Sequence, residues 1–240
     1  MENVAGLDRC FSFINLQLCP PGQPVPHGET VARRPAVTIS RQAGCGALVV
    51  AEKLAALLQP HTPPGLPPWT VFDRNLMEKV LADHNLPARL AKFLPEDRSN
   101  ALQEIMDNVF NAGPGTETII RQTAETILHL AELGGVIIIG RGGNLITAKL
   151  TNVLHVRLVA PLEQRIQHAQ KFYNMSVKTA REFCLQEDQG RRRYLKMHFN
   201  ADPDDPLLQH LTINTGMVSY DEAARLLADA VLCRARACHR

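Results

Sequence analysis

From Ala36 onward the chain alternates short, mostly apolar runs with longer amphipathic ones, and this rhythm restricts it to few architectures. "AVTIS" (36–40), "WTVF" (69–72), "VIIIG" (136–140), "VLHVRLV" (153–159) and "LTIN" (211–214) have the length and β-branched content of buried strands. Helical patterns separate them: "LVVAEKLAALL" (48–58), "RNLMEKVLADH" (74–84), and long stretches at 161–173 and 176–199. Ser219 and Glu222 have the spacing of a capping box that opens a final helix. Residues 86–133 carry helical patterning broken at Pro87, Pro95 and "NAGPG" (111–115), with no strand among them. Strands alternating with helices imply a parallel sheet covered on both faces. The strandless block then becomes an inserted or flanking helical lobe.

The rest of the composition narrows the function. A chain of 240 residues with a net charge of +2 offers no global attraction for a polyanion, so a nucleic-acid polymer is not an expected partner. The apolar runs are too short to cross a bilayer, and Glu2 and Asp8 interrupt the N-terminal stretch, which argues against a secretory signal. The six cysteines (10, 19, 45, 184, 233 and 238) show no zinc-like pairing, which fits reduced thiols in a cytoplasmic protein. Residues 1–35, with "CPPGQPVPHGETVARRP", read as an arm or linker in which Cys10–Leu18 forms a short helix or strand.

Ligands of parallel α/β sheets bind beyond the carboxyl ends of the strands, so the segments that follow them hold the candidate residues. After 36–40 comes "RQAGCGA" (41–47), glycines leading straight into a helix. Such a turn lets the main chain approach a phosphate while the helix N-terminus offers N–H groups, although a plain strand-to-helix turn has the same spacing. Against the Walker pattern G-x-x-x-x-G-K-[ST], Arg41 replaces the first glycine, Ala47 the lysine and Leu48 the hydroxyl residue. After 69–72 comes "FDRNLMEK", where Asp73 is either a carboxylate for a magnesium-bound water or a helix cap, and Lys79 a ligand or a surface residue. "GRGGN" (140–144) places Arg141 between glycines on the same sheet edge, a setting suited to bidentate phosphate binding. "EDQGRRRYLK" (187–196) is either a solvated helix face or an arginine cluster folding over phosphates. Cys45, at a helix start, is in a position that tends to lower a thiol's pKa.

Taken in order, "TISRQAGCGA", "FDRNLMEKV", "IIIGRGGNLIT", "HVRLVAPLEQRI", "EDQGRRRY" and "LTINTGMVSYDEAARLL" resemble the cytidylate-kinase-like family of P-loop nucleoside monophosphate kinases, as a divergent branch. The resemblance implies a three-layer α/β/α fold with about five parallel strands, a helical monophosphate-binding lobe at about 74–133, and an arginine-rich lid at about 174–206, all within 36–240. It implies ATP and Mg2+ as cofactors and nucleotide substrates as partners, with oligomeric state open. ATP phosphates would lie around Arg41, Gly44, Cys45, Gly46 and Ala47. Asp73, Lys79 and Arg141 would face the acceptor, with Asp73 reaching magnesium through water. Arg165, Asp188, Arg191 and Arg192 would form the lid, and Arg41, Arg141 and Arg191 would carry catalysis. The expected reaction is ATP-dependent phosphoryl transfer to a nucleoside monophosphate or related small acceptor. The alternative is a catalytically weakened nucleotide-binding or regulatory protein on the same fold. Gly142 stands where authentic cytidylate kinases have the aspartate of "GRD", so cytosine selectivity is not implied.

Overall fold

The computed structural model describes residues 8–14, 33–73 and 117–237. Five strands form one sheet: β1 (Ala36–Arg41), β2 (Thr70–Phe72), β3 (Val136–Ile139), β4 (Val153–Val159) and β5 (Leu211–Asn214). Their spatial order is β2-β3-β1-β4-β5, and every pairing is parallel. This is the three-layer α/β architecture that the strand–helix alternation predicts. Val136–Ile139 is buried throughout, as expected of a strand covered on both faces.

Two apolar clusters sandwich the sheet. On one face, α2 (Ala47–Leu58) and α7 (Tyr220–Ala237) pack over Val37, Ile39, Ile137 and Val156. On the other, α3 (Glu117–Leu133) buries Ala124, Ile127, Leu128 and Ala131 against Phe72, Val136 and Ile138. The short α4 (Gly143–Ile146) joins this face through Ile146. The helix α1, residues 8–14, lies here too, inside the stretch read as an arm. Its Cys10, Phe13 and Ile14 are buried in the core, and the Phe13 ring meets Phe72 edge-on at 6.0 Å. Three such side chains on one face stabilise by about 2 kcal/mol each when buried, which is enough to hold two turns that could not persist alone.

A helical hairpin, α5 (Leu162–Tyr173) and α6 (Val177–Phe199), completes the described molecule. Both helices end on a left-handed asparagine, Asn174 and Asn200, and Ser176 caps α6 by accepting from the Thr179 N–H. The small apolar cluster of Ile166, Ala169, Ala180 and Cys184 includes Ala43, so the hairpin packs onto the turn after β1. Lys79 and most of the segment read as the monophosphate lobe lie outside the described residues. Among those described, no helix is long and apolar enough to cross a membrane.

Candidate functional site

The turn after β1 is held so tightly that two of its positions admit only glycine. Gly44 (φ 79°) and Gly46 (φ 78°) are left-handed. A Cβ on Gly44 would overlap the main-chain carbonyl of Arg165 in α5, and one on Gly46 would overlap the Tyr220 ring at the start of α7. Gly46 is also the N-cap of α2. Gln42 N–H is bonded to Leu158 O of β4, whereas the N–H groups of Gly44, Cys45 and Gly46 have no main-chain acceptor among the described residues. Amides of this kind at the mouth of a helix form an anion-binding nest.

One amide of the turn already carries an anion. Ala43 N–H donates to Asp188 Oδ1 at 2.7 Å, from α6. The other Asp188 oxygen accepts from Arg165 Nη1 at 2.6 Å, and Arg191 Nη1 donates to Oδ1 at 3.1 Å. Arg165 also donates to Ala43 O and Ala160 O, and its side chain is 8% exposed. Arg191 pairs with Glu187 at 2.8 Å. Arg165, Asp188 and Arg191, which the sequence groups as a lid, thus form one network fastened to the turn.

Two cavities flank this network. The first, of about 370 Å³, is lined by Arg41–Val49, Asp73, Glu187 and Arg191, with an aromatic wall of His168, Phe172, Tyr173 and Phe183. The second, of about 310 Å³, lies over the ends of β1, β3 and β4. Six arginines line it (Arg41, Arg141, Arg157, Arg165, Arg191 and Arg192) against two carboxylates, Asp188 and Asp204. Arg41, Gln42 and Arg191 border both cavities. Asp73 therefore borders the turn's own cavity, while Arg141 lines the second.

Glycine makes the place of Arg41. A Cβ on Gly140 would overlap the Arg41 guanidinium, so that guanidinium packs against the main chain just after β3. Burial and the neighbouring Arg191 push its pKa down to about 10, so it stays cationic at neutral pH. Gly140, Arg141 and Gly142 are all left-handed, with φ of 85°, 57° and 70°. For arginine this conformation costs about 1 kcal/mol, and it is kept where surrounding structure fixes a side chain for a purpose. Phe199, at the end of α6, packs 2.9 Å from where a Gly142 Cβ would stand.

Sequence reading singled out neither Arg157 nor Asp204. Arg157 is 6% exposed within β4 and donates to Ser40 Oγ at 3.0 Å and Asp204 Oδ1 at 2.5 Å. Arg192 donates to the other Asp204 oxygen. Burial raises the Asp204 pKa, but the bonds from Arg192 and Arg157 outweigh it and hold the carboxyl below its ordinary range. At Cys45 the lowering that a helix start tends to produce is outweighed by burial. Its thiol is buried, and desolvation pushes its pKa up to about 11 in spite of Arg41, Arg191 and an Ala47 N–H nearby. It is a packing residue of the turn, not an activated thiol.

For magnesium the protein offers little of its own. No cluster of three or more His, Cys, Asp or Glu side chains among the described residues could hold a metal ion. Asp73, beside the turn, suits an ion that arrives on phosphates and keeps most of its water, which is how magnesium commonly binds.

Comparison with known proteins gives this geometry a lineage. The model of the cytidylate kinase-like family matches residues 36–217. Cytidylate kinase of Methanopyrus kandleri is 28% identical over 170 residues, covering 68% of this chain and 86% of that protein. Uronate isomerase of Corynebacterium glutamicum is 29% identical over 109 residues, 45% of this chain, which spans only 21% of that protein's length. Among solved structures, an uncharacterized protein from Eubacterium ventriosum shares the fold with a TM-score of 0.56, at 17% identity over 84% of this chain and 99% of that one.

Proposed function

The chain belongs to the cytidylate kinase-like family, and from that premise we propose that it is an ATP-dependent phosphotransferase acting on a nucleoside monophosphate or a related small acceptor. The observation that carries the reading is the pair of adjoining cavities bordered in common by Arg41 and Arg191. Phosphoryl transfer needs donor and acceptor oxygens brought in line, with cations around the moving group, and little else from the protein. The donor phosphates lie in the turn's cavity, on the amides of Gly44, Cys45 and Gly46. The acceptor lies over β3 and β4, facing Arg141. Arg41 and Arg191 then stand at the crossing point, where Arg41 supplies charge that a loop lysine gives elsewhere. Asp73 would hold the water of a magnesium ion arriving with the donor, and such an ion would supply charge to neutralise the donor phosphates.

The test is a coupled assay of phosphoryl transfer across nucleoside monophosphates, with calorimetry of ATP binding in parallel. Arg141→Ala and Arg191→Ala are each expected to lower turnover by orders of magnitude with the fold intact. Wild-type rates in both would refute the assignment of roles.

One observation favours a second reading, a nucleotide-binding protein that does not turn over. The turn lacks both lysine and hydroxyl, and Asp188 already occupies its Ala43 amide. On that reading ATP raises the melting temperature but no product forms with any acceptor.

A further inference from the structure

A buried arginine inside a central strand is expensive unless its charge is met, and the manner in which Arg157 is met is unusual. Its neighbours Val156 and Leu158 are fully buried core residues. One of its guanidinium nitrogens bonds a neutral hydroxyl, Ser40 Oγ. Its carboxylate comes from Asp204, on the turn between α6 and β5, whose side chain is 44% exposed. That turn is fastened by Arg192 of α6, itself 62% exposed, and by the Asp204 N–H on Asp202. The cation is fixed in the sheet, while its counterion sits on a surface turn attached to the hairpin. Both line the second cavity, which has an excess of arginines over carboxylates.

We propose that Arg157 is an anion subsite of the acceptor cavity, made for a phosphate-like group on the acceptor, and that Asp204 is the resident counterion which this group displaces. Arg157 and Asp204 line the second cavity and not the first, whereas Arg41 and Arg191 border both. The group read by Arg157 is therefore not the reacting one, and the acceptor class is a small molecule with a second anionic group remote from the receiving oxygen. Displacement exchanges one charge-assisted bond for another and frees Asp204 to remain with Arg192, so the trade costs little. This rests on the transferase reading only for the word acceptor; anion binding at Arg157 stands or falls separately.

The experiment is a calorimetric titration of the full chain with inorganic phosphate, comparing wild type, Asp204→Asn and Arg157→Met, with ATP binding measured on the same samples. Asp204→Asn removes the competitor from a surface turn and is expected to tighten phosphate binding by about tenfold, the worth of one charge-assisted contact. Arg157→Met is expected to weaken it by a similar factor, and ATP affinity is expected to be unchanged in both. A merely structural role for the pair predicts the opposite for Asp204→Asn, a loosened site. Phosphate affinity unchanged or weakened by Asp204→Asn overturns the proposal, even where Arg157→Met fails to fold. Loss of ATP binding in the wild type refutes instead the donor-site reading, and leaves the phosphate comparison readable because Asp204 does not border the donor cavity.

Discussion

Replacing Asp188 by asparagine tests whether the hairpin is clamped by charge to the glycine turn after β1. The substitution keeps the shape and one oxygen for Ala43 N–H, but it sets an amide against the Arg165 and Arg191 guanidinium groups. Breaking a buried ion pair by removing one partner costs about 3–5 kcal/mol, because the surviving charge is stranded. Two features reduce that figure here. Asp188 is 27% exposed, and Arg165 keeps two carbonyl acceptors, Ala43 O and Ala160 O. The expected loss is therefore about 2 kcal/mol, read as a lower urea midpoint with an unchanged slope. A cycle with Arg165→Met should show coupling of about 1–2 kcal/mol, since the two side chains touch. If Asp188→Asn stays within about 0.5 kcal/mol of wild type, the range of an ordinary surface change, then the clamp has no energetic reality.

Acid should weaken the fold through His155. Burial and the adjacent His210 push its pKa down to about 4 from 6.5, so its contribution is complete above pH 6.5, fades as pH falls towards 4, and is constant below. That shift corresponds to roughly 3 kcal/mol at 1.36 kcal/mol per pKa unit, and a urea stability profile from pH 8 to 4 that stayed flat would contradict it. Gly46→Ala should destabilise by about 1 kcal/mol through its left-handed backbone alone and weaken ATP binding. Adding Tyr220→Ala should restore part of the binding, because that ring occupies the space a Cβ needs. Native protein treated with iodoacetamide at pH 8 should be modified at Cys233 and spared at Cys45, by peptide mass spectrometry. The first thiol is exposed, and the second is buried with its pKa near 11. Rapid labelling of Cys45 would restore the activated-thiol reading.

Local pattern carried the sheet. Each apolar run from "AVTIS" to "LTIN" is a strand because β-branched content and the absence of helical period are local properties that burial on both faces reinforces. The glycine turn after β1 was legible for the same reason. What sequence could not show depends on pairs distant along the chain. Asp188 meets Ala43 across 145 residues, and Arg157 meets Asp204 across 47. Within "VLHVRLV", Arg157 looks like an exposed interruption of a strand, and only the sheet order reveals it as buried beside Ser40. Cys10–Leu18 reads as either a short helix or a strand because so short a segment has little preference of its own; packing of Phe13 on Phe72 favours the helix found at 8–14. For Cys45, position at a helix start pointed one way, but desolvation is set by tertiary packing and proved the larger effect.

On the proposed reading, the same packing lets a turn without lysine face phosphates. A lysine on the loop is a single flexible point charge, whereas here cations are distributed over β1, the turn after β3, β4, α5 and α6 as guanidinium forks. Forks at close range repel one another: burial lowers the Arg41 pKa most, and the neighbouring Arg191 lowers it further. The arginines are met by internal anions, Asp188 and Asp204, each bridging two of them. Such bridges hold the hairpin against the sheet edge in the absence of ligand and are of the same chemistry as a phosphate oxygen. On the proposed reading, ligand phosphates substitute for carboxylates on an arginine frame that is already assembled. The cost of gathering like charges is then met during folding rather than at the moment of binding, which is the physical sense in which this site is preorganised.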